Sequence, residues 1–311
     1  MEHKKEPLLE IRDLSVSFRM YGRGLEQTDL QAISDLHFTV YPGEIIAVAG
    51  SSGSGKSLLS SAVLGILPGN ASIRGHMYYK GQELTPERQK ALRGTEIALV
   101  PQSVSYLDPL MKTGAQADGH KKPRPTEKRK GLFRRFGLPE KTEQLYPFQL
   151  SGGMARRILV STALLTDAEL IIADEPTPGM SLGQALEALQ MFREMADAGR
   201  AVVLITHDID LAFEFADRVS VFYAGTTVET APASDFKKGP DALRHPYTKV
   251  LWKALPQNEF QPLEGFQPYP GDLPRGCLFA PRCPFRTGRC TSNVPPVRRV
   301  RGGEVRCYYG S

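Results

Sequence analysis

The chain of 311 residues is 41% hydrophobic and 23% charged and carries a net charge of +5. This composition is that of an ordinary folded protein with room for one full core and a smaller appendage. The longest apolar runs are Ile45–Ala49 and Ala201–Ile205, far short of the roughly 18 residues that a membrane-spanning helix needs. The first residues lack the apolar stretch of a secretory signal. We therefore expect a cytosolic chain, whose role at any membrane would require separate membrane subunits.

The beginning of the chain predicts strands. Apolar residues alternate with polar neighbours in two segments, at Leu14, Val16 and Phe18 and at Leu36, Phe38 and Val40. After the turn signal Pro42-Gly43, the run Ile45–Ala49 predicts a buried strand. A glycine-rich loop follows it, and a helix is expected to begin near Lys56.

Two later apolar runs, Leu170–Ala173 and Ala201–Ile205, are typical of parallel strands buried on both faces. Between them, apolar residues recur at helical spacing, and Gly199 is well placed to end that helix. The order strand, helix, strand predicts a parallel α/β sheet.

Two regions interrupt this order. Residues from about 103 to 153 are polar and basic, and we interpret them as a helical insertion within a main domain at 1–235. Beyond it, prolines and glycines are frequent and periodicity is lost, which predicts a small irregular C-terminal extension at 236–311.

The insertion contains a basic segment, His120–Phe136. We interpret it as a solvated helical face, with attraction to the anionic inner leaflet of a membrane as the alternative. Nucleic acid is disfavoured as a partner, because no aromatic residues alternate with the charges to form a stacking surface. The basic residues are Lys121, Lys122, Arg124, Lys128, Arg129, Lys130, Arg134 and Arg135.

The segment from 50 to 57 matches the phosphate-loop pattern G-x-x-x-x-G-K-[ST] and lies between a predicted strand and a predicted helix. Glycines let the backbone N–H groups close around phosphates, and the helix N-terminus favours anions. The lysine is expected to reach the β- and γ-phosphates of ATP, and the final serine to bind Mg²⁺. The predicted ligands are Gly50, Ser51, Gly53, Ser54, Gly55, Lys56 and Ser57.

Two acids, Asp174 and Glu175, follow the apolar run Leu170–Ala173. Acids at the end of a buried parallel strand face the ligand crevice of an open α/β sheet. We expect Asp174 to hold Mg²⁺ through water and Glu175 to polarise the attacking water.

Between these two motifs, Leu150–Met154 reads LSGGM. Together with Gln102 after an apolar strand and His207 after Ala201–Ile205, the ordered set resembles the ABC ATPase family from about residue 8 to 232. The resemblance implies the P-loop NTPase fold of an ABC nucleotide-binding domain. In that family two such domains enclose two ATP molecules, and each site joins the phosphate loop of one chain to the signature of the other.

By this resemblance, further residues receive expected roles. Ser151, Gly152 and Gly153 would contact the partner's γ-phosphate, and His207 the γ-phosphate in its own site. Gln102 would contact Mg²⁺ and sense the membrane subunit. Phe18 matches the aromatic residue that stacks on adenine, although it is also a plausible core residue of its strand.

The chain departs from the common family pattern in three ways. Met154 replaces the usual glutamine, a substitution that is usual in peptide/nickel importers. Ser181 takes the place of an aspartate that helps to couple the two ATP sites, which puts that coupling in question. The helical insertion is shorter than usual.

The tail narrows the resemblance to the peptide/nickel importers. It carries His245–Thr248 and Pro270–Pro274 followed by all four cysteines, Cys277, Cys283, Cys290 and Cys307. In a reduced compartment, disulfides are a poor explanation and clustering indicates a metal site. The family implies a [4Fe–4S] cluster; zinc and free thiols are the alternatives, although the close C-x₂-C pairs of zinc ribbons are absent.

The resemblance implies an ATPase that powers import of a peptide, nickel or a nickel chelate. It would lie peripherally on the cytoplasmic side of the membrane with a second, distinct ATPase, two membrane proteins and an extracytoplasmic binding protein. A soluble ABC ATPase of DNA repair or translation, or a mainly regulatory nucleotide-binding subunit, are the alternatives. The chain shows neither the long coiled-coil insertion of repair ATPases nor a second cassette.

Overall fold

The computed structural model of the chain describes residues 6–21, 26–119, 125–261 and 264–310. Its strands are β1 Leu9–Tyr21, β2 Gln27–Val40, β3 Ile45–Gly50, β4 Ala71–Tyr79, β5 Gln82–Glu83, β6 Ile97–Val100, β7 Leu170–Asp174, β8 Ala201–Ile205, β9 Arg218–Tyr223, β10 Thr226–Pro232, β11 Val297–Val300 and β12 Gly303–Arg306. Its α-helices are α1 Lys56–Leu64, α2 Pro86–Leu92, α3 Thr113–Asp118, α4 Thr126–Arg135, α5 Gly152–Leu164, α6 Leu182–Asp197, α7 Ile209–Phe215, α8 Ala233–Lys237, α9 Pro246–Lys253 and α10 Gly288–Ser292. None of these helices combines the length and the apolar character needed to cross a bilayer.

The predicted parallel sheet is present as the centre of an eight-stranded sheet with the order β11-β12-β10-β9-β3-β8-β7-β6. The strands from β9 to β6 are parallel, and β3 lies between β9 and β8. Their side chains are buried on both faces, which is why the sequence shows unbroken apolar runs there. A separate four-stranded antiparallel sheet, β2-β1-β4-β5, covers α1.

Helices and short turns make up the described residues between β6 and β7, as expected for a helical insertion. The interpretation of its basic segment as a solvated face is wrong for Arg129. That guanidinium is buried and forms ion pairs with Asp118 and with Glu143, the latter at 2.9 Å. Residues 120–124, including Lys121, Lys122 and Arg124, lie outside the described ranges.

The C-terminal tail is more regular than predicted. Strands β11 and β12 form a hairpin that pairs with β10 and extends the main sheet. Its turn is Arg301-Gly302, in which both residues have positive φ, as two-residue hairpin turns require. The strands are too short and too rich in arginine for periodicity to reveal them. The sheet thus crosses the boundary predicted at 235/236.

Candidate nucleotide site

The phosphate loop connects the end of β3 to the start of α1, as predicted. Gly53 and Gly55 have φ of 77° and 93°, a region that side chains rarely allow. At Gly50 a Cβ atom would lie 2.4 Å from the carbonyl oxygen of Phe222. Glycines are therefore required at these positions for the loop to close beneath a ligand.

The loop presents N–H groups rather than carbonyl groups for binding. Carbonyl groups of the loop already accept hydrogen bonds. The Ser54 carbonyl accepts from Gly225 N–H at 3.1 Å, and the Gly55 carbonyl accepts from Leu58 N–H. By contrast, the N–H groups of Ser52, Gly53 and Gly55 donate no hydrogen bond within the described part of the chain. With the N-terminus of α1 behind them, these donors form an anion cradle.

Lys56 lies folded over this cradle. Its Nζ donates to the carbonyl oxygens of Gly50 at 2.8 Å and Ser51 at 3.0 Å. Burial lowers the pKa of Lys56, while the carboxylates of Glu175 and Asp174 act in the opposite direction. The arrangement places a cation at the position where phosphate charge would lie.

Ser57 and Asp174 meet beside the loop, with the Ser57 hydroxyl donating to Asp174 Oδ1 at 3.1 Å. Burial raises the pKa of Asp174, and the hydrogen bond from Ser57 opposes that effect. Hydroxyl and carboxylate oxygens are ligands that Mg²⁺ accepts, and neighbouring oxygens of an octahedral Mg²⁺ lie about 3 Å apart. These residues therefore fit a magnesium site.

Glu175 and His207 form a second pair at the ends of β7 and β8. Glu175 Oε2 lies 2.7 Å from His207 Nδ1, and the carboxylate is buried whereas the imidazole is largely exposed. Glu175 has φ of 49°, and its N–H donates to Ile205 at 2.8 Å. Such strained backbone is common at functional sites, and here it directs an acceptor toward the crevice.

Gln102 lies just beyond β6, and its side chain is exposed. Sequence reasoning missed the residue that holds this segment, which is Arg156 on α5. Its buried guanidinium donates to the carbonyls of Gln102 and of Pro101, the latter at 3.0 Å. Burial lowers the pKa of Arg156. The signal in the sequence is limited to a pair of neighbouring arginines on the helix after the signature, of which Arg156 is the first.

The signature lies apart from the chain's own phosphate loop. Ser151 caps α5 and accepts from Met154 N–H at 3.3 Å, and Gly152 is exposed. At Gly153, a Cβ atom would lie 2.8 Å from the carbonyl of Gly179. Within the described ranges no hydrogen bond joins 151–153 to 50–57.

Two predicted residues have local roles in the structure. Phe18 is half-buried on β1, where it pairs with Leu30 and Ala71 and packs against the core around α1. Its contact with adenine stays a prediction. Ser181 precedes α6 as its N-cap residue, and its backbone N–H donates to Gln184 Oε1 at 3.2 Å; serine is among the residue types favoured at an N-cap.

The four tail cysteines are free thiols, and Cys290 and Cys307 are buried. Burial raises the pKa of Cys277 to about 11, and the other three cysteines act in the same direction. No His, Cys, Asp and Glu side chains in the described ranges form a group of three or more that could hold one metal ion. Two of the sulfurs have hydrogen-bond partners at 3.3 Å, the Thr287 hydroxyl for Cys290 and Tyr309 N–H for Cys307.

The tail also reaches the phosphate loop, which sequence reasoning did not predict. Gln267 hydrogen-bonds with Ser51 at 3.0 Å and with Gly53 at 3.3 Å. The pattern of prolines and glycines around Gln267 predicted irregular structure but gave no sign of this contact.

Comparisons with known proteins agree with this geometry. Residues 33–178 match the family model "ABC transporter", and residues 228–290 match "Oligopeptide/dipeptide transporter, C-terminal region". A putative peptide import ATP-binding protein of Brucella abortus is 34% identical, over 98% of this chain and 95% of its own length. The dipeptide transport ATP-binding protein DppD of Escherichia coli is 33% identical, over 97% of this chain and 96% of its own length.

Solved structures show the same fold. The dimeric ATP-binding cassette MJ0796 bound to ADP and Pi superposes with a TM-score of 0.63 at 23% identity, over 72% of this chain and 98% of that chain. The fold, the nucleotide motifs and the full-length relatives agree. This chain is an ATPase of the ABC transporter family, and it carries the C-terminal region of the oligopeptide/dipeptide transporters.

Proposed function

We propose that this ATPase powers the import of peptides through a membrane complex. The observation that carries the proposal is the convergence of the Lys56 cradle, the Ser57–Asp174 pair and the Glu175–His207 pair at the carboxyl ends of adjacent parallel strands. The full-length relatives named as peptide and dipeptide transport proteins supply the substrate class. Nickel or a nickel chelate is the alternative cargo.

In this proposal the free N–H groups of the loop and Lys56 bind the β- and γ-phosphates. Ser57, Gln102 and Asp174 hold Mg²⁺. Glu175 orients the attacking water and takes its proton as the oxygen bonds to the γ-phosphorus and the bond to ADP breaks. His207, held by Glu175, donates to the γ-phosphate.

We further propose that the exposed signature completes the site of a second, distinct ATPase subunit. Leu182 at the start of α6 is 68% exposed and lies directly after Ser181, on the segment that contacts the signature glycines. An apolar side chain in this position is suited to burial against a partner.

A groove next to Gln102 supports docking of a membrane subunit. The groove has a volume of about 410 Å³ and is lined by Tyr106, Leu107, Met111 and Leu159, among others. Tyr106 is 65% exposed. Because Arg156 ties the backbone at Gln102 to the signature helix, a segment bound in this groove can act on both motifs. The complex would place this chain peripherally on the cytoplasmic side of the membrane.

In the tail, we propose a [4Fe–4S] cluster held by the four cysteines, with zinc as the alternative. The hydrogen bonds at Cys290 and Cys307 support thiolate ligation. Sulfur ligands of a single zinc ion lie about 3.8 Å apart, given Zn–S bonds of about 2.3 Å, and the described residues offer no such group. The thiolates of a [4Fe–4S] cluster bind different irons and therefore lie farther apart than the ligands of one zinc ion.

Reconstitution of the complete transporter in lipid vesicles tests the proposal. Peptide-loaded binding protein should stimulate ATP hydrolysis and peptide uptake, and a complex carrying Lys56→Ala should show neither. Stimulation by nickel but not by peptides would overturn the assigned cargo. ATP hydrolysis that ignores every loaded binding protein would overturn the import function.

A further inference from the structure

A tail residue contacts the phosphate loop directly. Gln267 Oε1 accepts a hydrogen bond from the Ser51 hydroxyl at 3.0 Å and another from the Ala224 N–H at 3.2 Å. Its Nε2 donates to the Gly53 carbonyl at 3.3 Å. One side chain thus joins two points of the loop to the turn that follows β9.

A second tail residue contacts the same part of the loop. Tyr247 on α9 is 2% exposed, and burial raises the pKa of its phenol while hydrogen bonding by Ser51 acts in the opposite direction. Tyr247 packs against Phe279 with ring centroids 5.5 Å apart. The loop therefore rests on the tail at Ser51 as well as at Gly53.

The segment that carries Gln267 is itself held in place. Arg282 Nε donates to the carbonyl of Glu264 at 2.9 Å, and Arg282 also hydrogen-bonds to the hydroxyl of Tyr223 at the end of β9. Pro268 and Pro270 follow Gln267 in the sequence and restrict the backbone on its C-terminal side. Less backbone entropy is therefore lost when this segment is held against the loop.

The direction of these bonds decides what the contact does. Gln267 uses a carbonyl and a hydroxyl of the loop, and it leaves the N–H groups of Ser52, Gly53 and Gly55 without partners in the described chain. A side chain that blocked nucleotide binding would accept hydrogen bonds from those N–H groups. Gln267 instead fixes the position of the loop and leaves those N–H groups available to a ligand.

We propose that Gln267 is a positioning residue for nucleotide binding, through which the folded tail sets the affinity of the phosphate loop. The inference rests on the proposed nucleotide site and adds a determinant outside every nucleotide motif. Without Gln267, the loop must become ordered when the nucleotide binds. The entropy lost in that ordering makes the binding free energy less favourable, so the affinity falls.

The test compares Gln267→Ala with Gln261→Ala in the full-length chain. Gln261 is an exposed glutamine of the same tail, and its side chain makes no hydrogen bond within the described residues. Dissociation constants for Mg-ADP and Mg-ATP are measured by calorimetry. Gln267→Ala should bind about tenfold more weakly, as expected for loss of one or two net hydrogen bonds, and the control should match wild type.

Two further measurements distinguish a specific loss of nucleotide affinity from a general loss of structure. The nucleotide-free melting temperature of Gln267→Ala should equal that of wild type, and in the assembled transporter KM for ATP should rise while kcat is retained. In a double-mutant cycle with Ser51→Ala, the two effects should be less than multiplicative, because both variants remove the same contact.

Unchanged or tighter nucleotide binding by Gln267→Ala would overturn the inference, and tighter binding would make the contact inhibitory. A lower melting temperature without nucleotide would also overturn it, since the residue would then act on stability. Absence of nucleotide binding by the wild-type chain would instead overturn the proposed function, so the two failures are distinguishable.

Discussion

The substitution Glu175→Gln separates binding of ATP from its hydrolysis. The carboxylate is 10% exposed and lies 2.7 Å from His207 Nδ1. Glutamine has the same shape and retains an oxygen that accepts from His207, so the backbone at this strained position has no reason to move. What the variant loses is the ability to accept a proton from water.

The size of the effect follows from that loss. A positioned general base contributes about 10²–10⁴ in rate, or about 3–5 kcal/mol of activation free energy. Nucleotide affinity should be retained, because neither Lys56 nor the free N–H groups of the loop hydrogen-bond to Glu175. ATP should therefore remain bound and hold two ATPase subunits together.

The assay is phosphate release by the assembled transporter, with sedimentation of the ATP-bound subunits as the measure of a stable dimer. Glu214→Gln is the matched control. Glu214 lies on α7, is 67% exposed and, among the described residues, forms an ion pair only with Lys237, at 3.4 Å. The control should hydrolyse ATP at the wild-type rate. If turnover of Glu175→Gln stayed within a few-fold of wild type, another group would activate the water.

Four further predictions follow from individual contacts. Lys56→Ala should lose nucleotide affinity and turnover together, as measured by calorimetry and phosphate release; wild-type hydrolysis would refute the assignment of the loop. Arg244→Met should destabilise the chain by about 3–5 kcal/mol in chemical denaturation, because it leaves the fully buried Glu229 without a cation. The exposed Arg299→Met in the same tail should cost less than about 1 kcal/mol, and equal losses would contradict this account. Burial lowers the pKa of His245 to about 3, below its unfolded value of about 6.5, so stability should fall by about 1.4 kcal/mol per pH unit as pH drops from 6.5 toward 3. His245→Asn should remove that slope, and a slope that persists would place its origin elsewhere. Anaerobically purified protein should be brown with about four irons per chain, and any single Cys→Ser change in the tail should lower the iron content; colourless protein with one tightly bound zinc would overturn the cluster.

The elements that the sequence predicted well are those in which local pattern and chemistry coincide. The strand before Gly50 and the helix from Lys56 follow from an apolar run, glycines and helical periodicity, and all three signals lie within a short stretch. The pairing of Ser57 with Asp174 joins distant residues, yet it follows from topology, because β3 and β7 lie on either side of β8 and parallel strands end at the same edge of the sheet.

The features that escaped prediction depend on contacts without a local signature. Arg156 resembles any helical arginine until the fold brings the carbonyls of Pro101 and Gln102 to it. Gln267 precedes a proline in a segment without periodicity, and its partner Ser51 is more than two hundred residues away. Neither pairing can be derived from the spacing of residue types.

Hydrogen bonds join the C-terminal tail, which carries the four cysteines, to the nucleotide-binding core. Arg244 N–H and guanidinium bind Glu229 on β10, and the same guanidinium donates to the carbonyls of Val300 and Arg301 in the terminal hairpin. Arg282, adjacent to Cys283, holds the segment that carries Gln267. The residue next to Cys283 is therefore hydrogen-bonded to the segment whose Gln267 contacts Ser51 and Gly53.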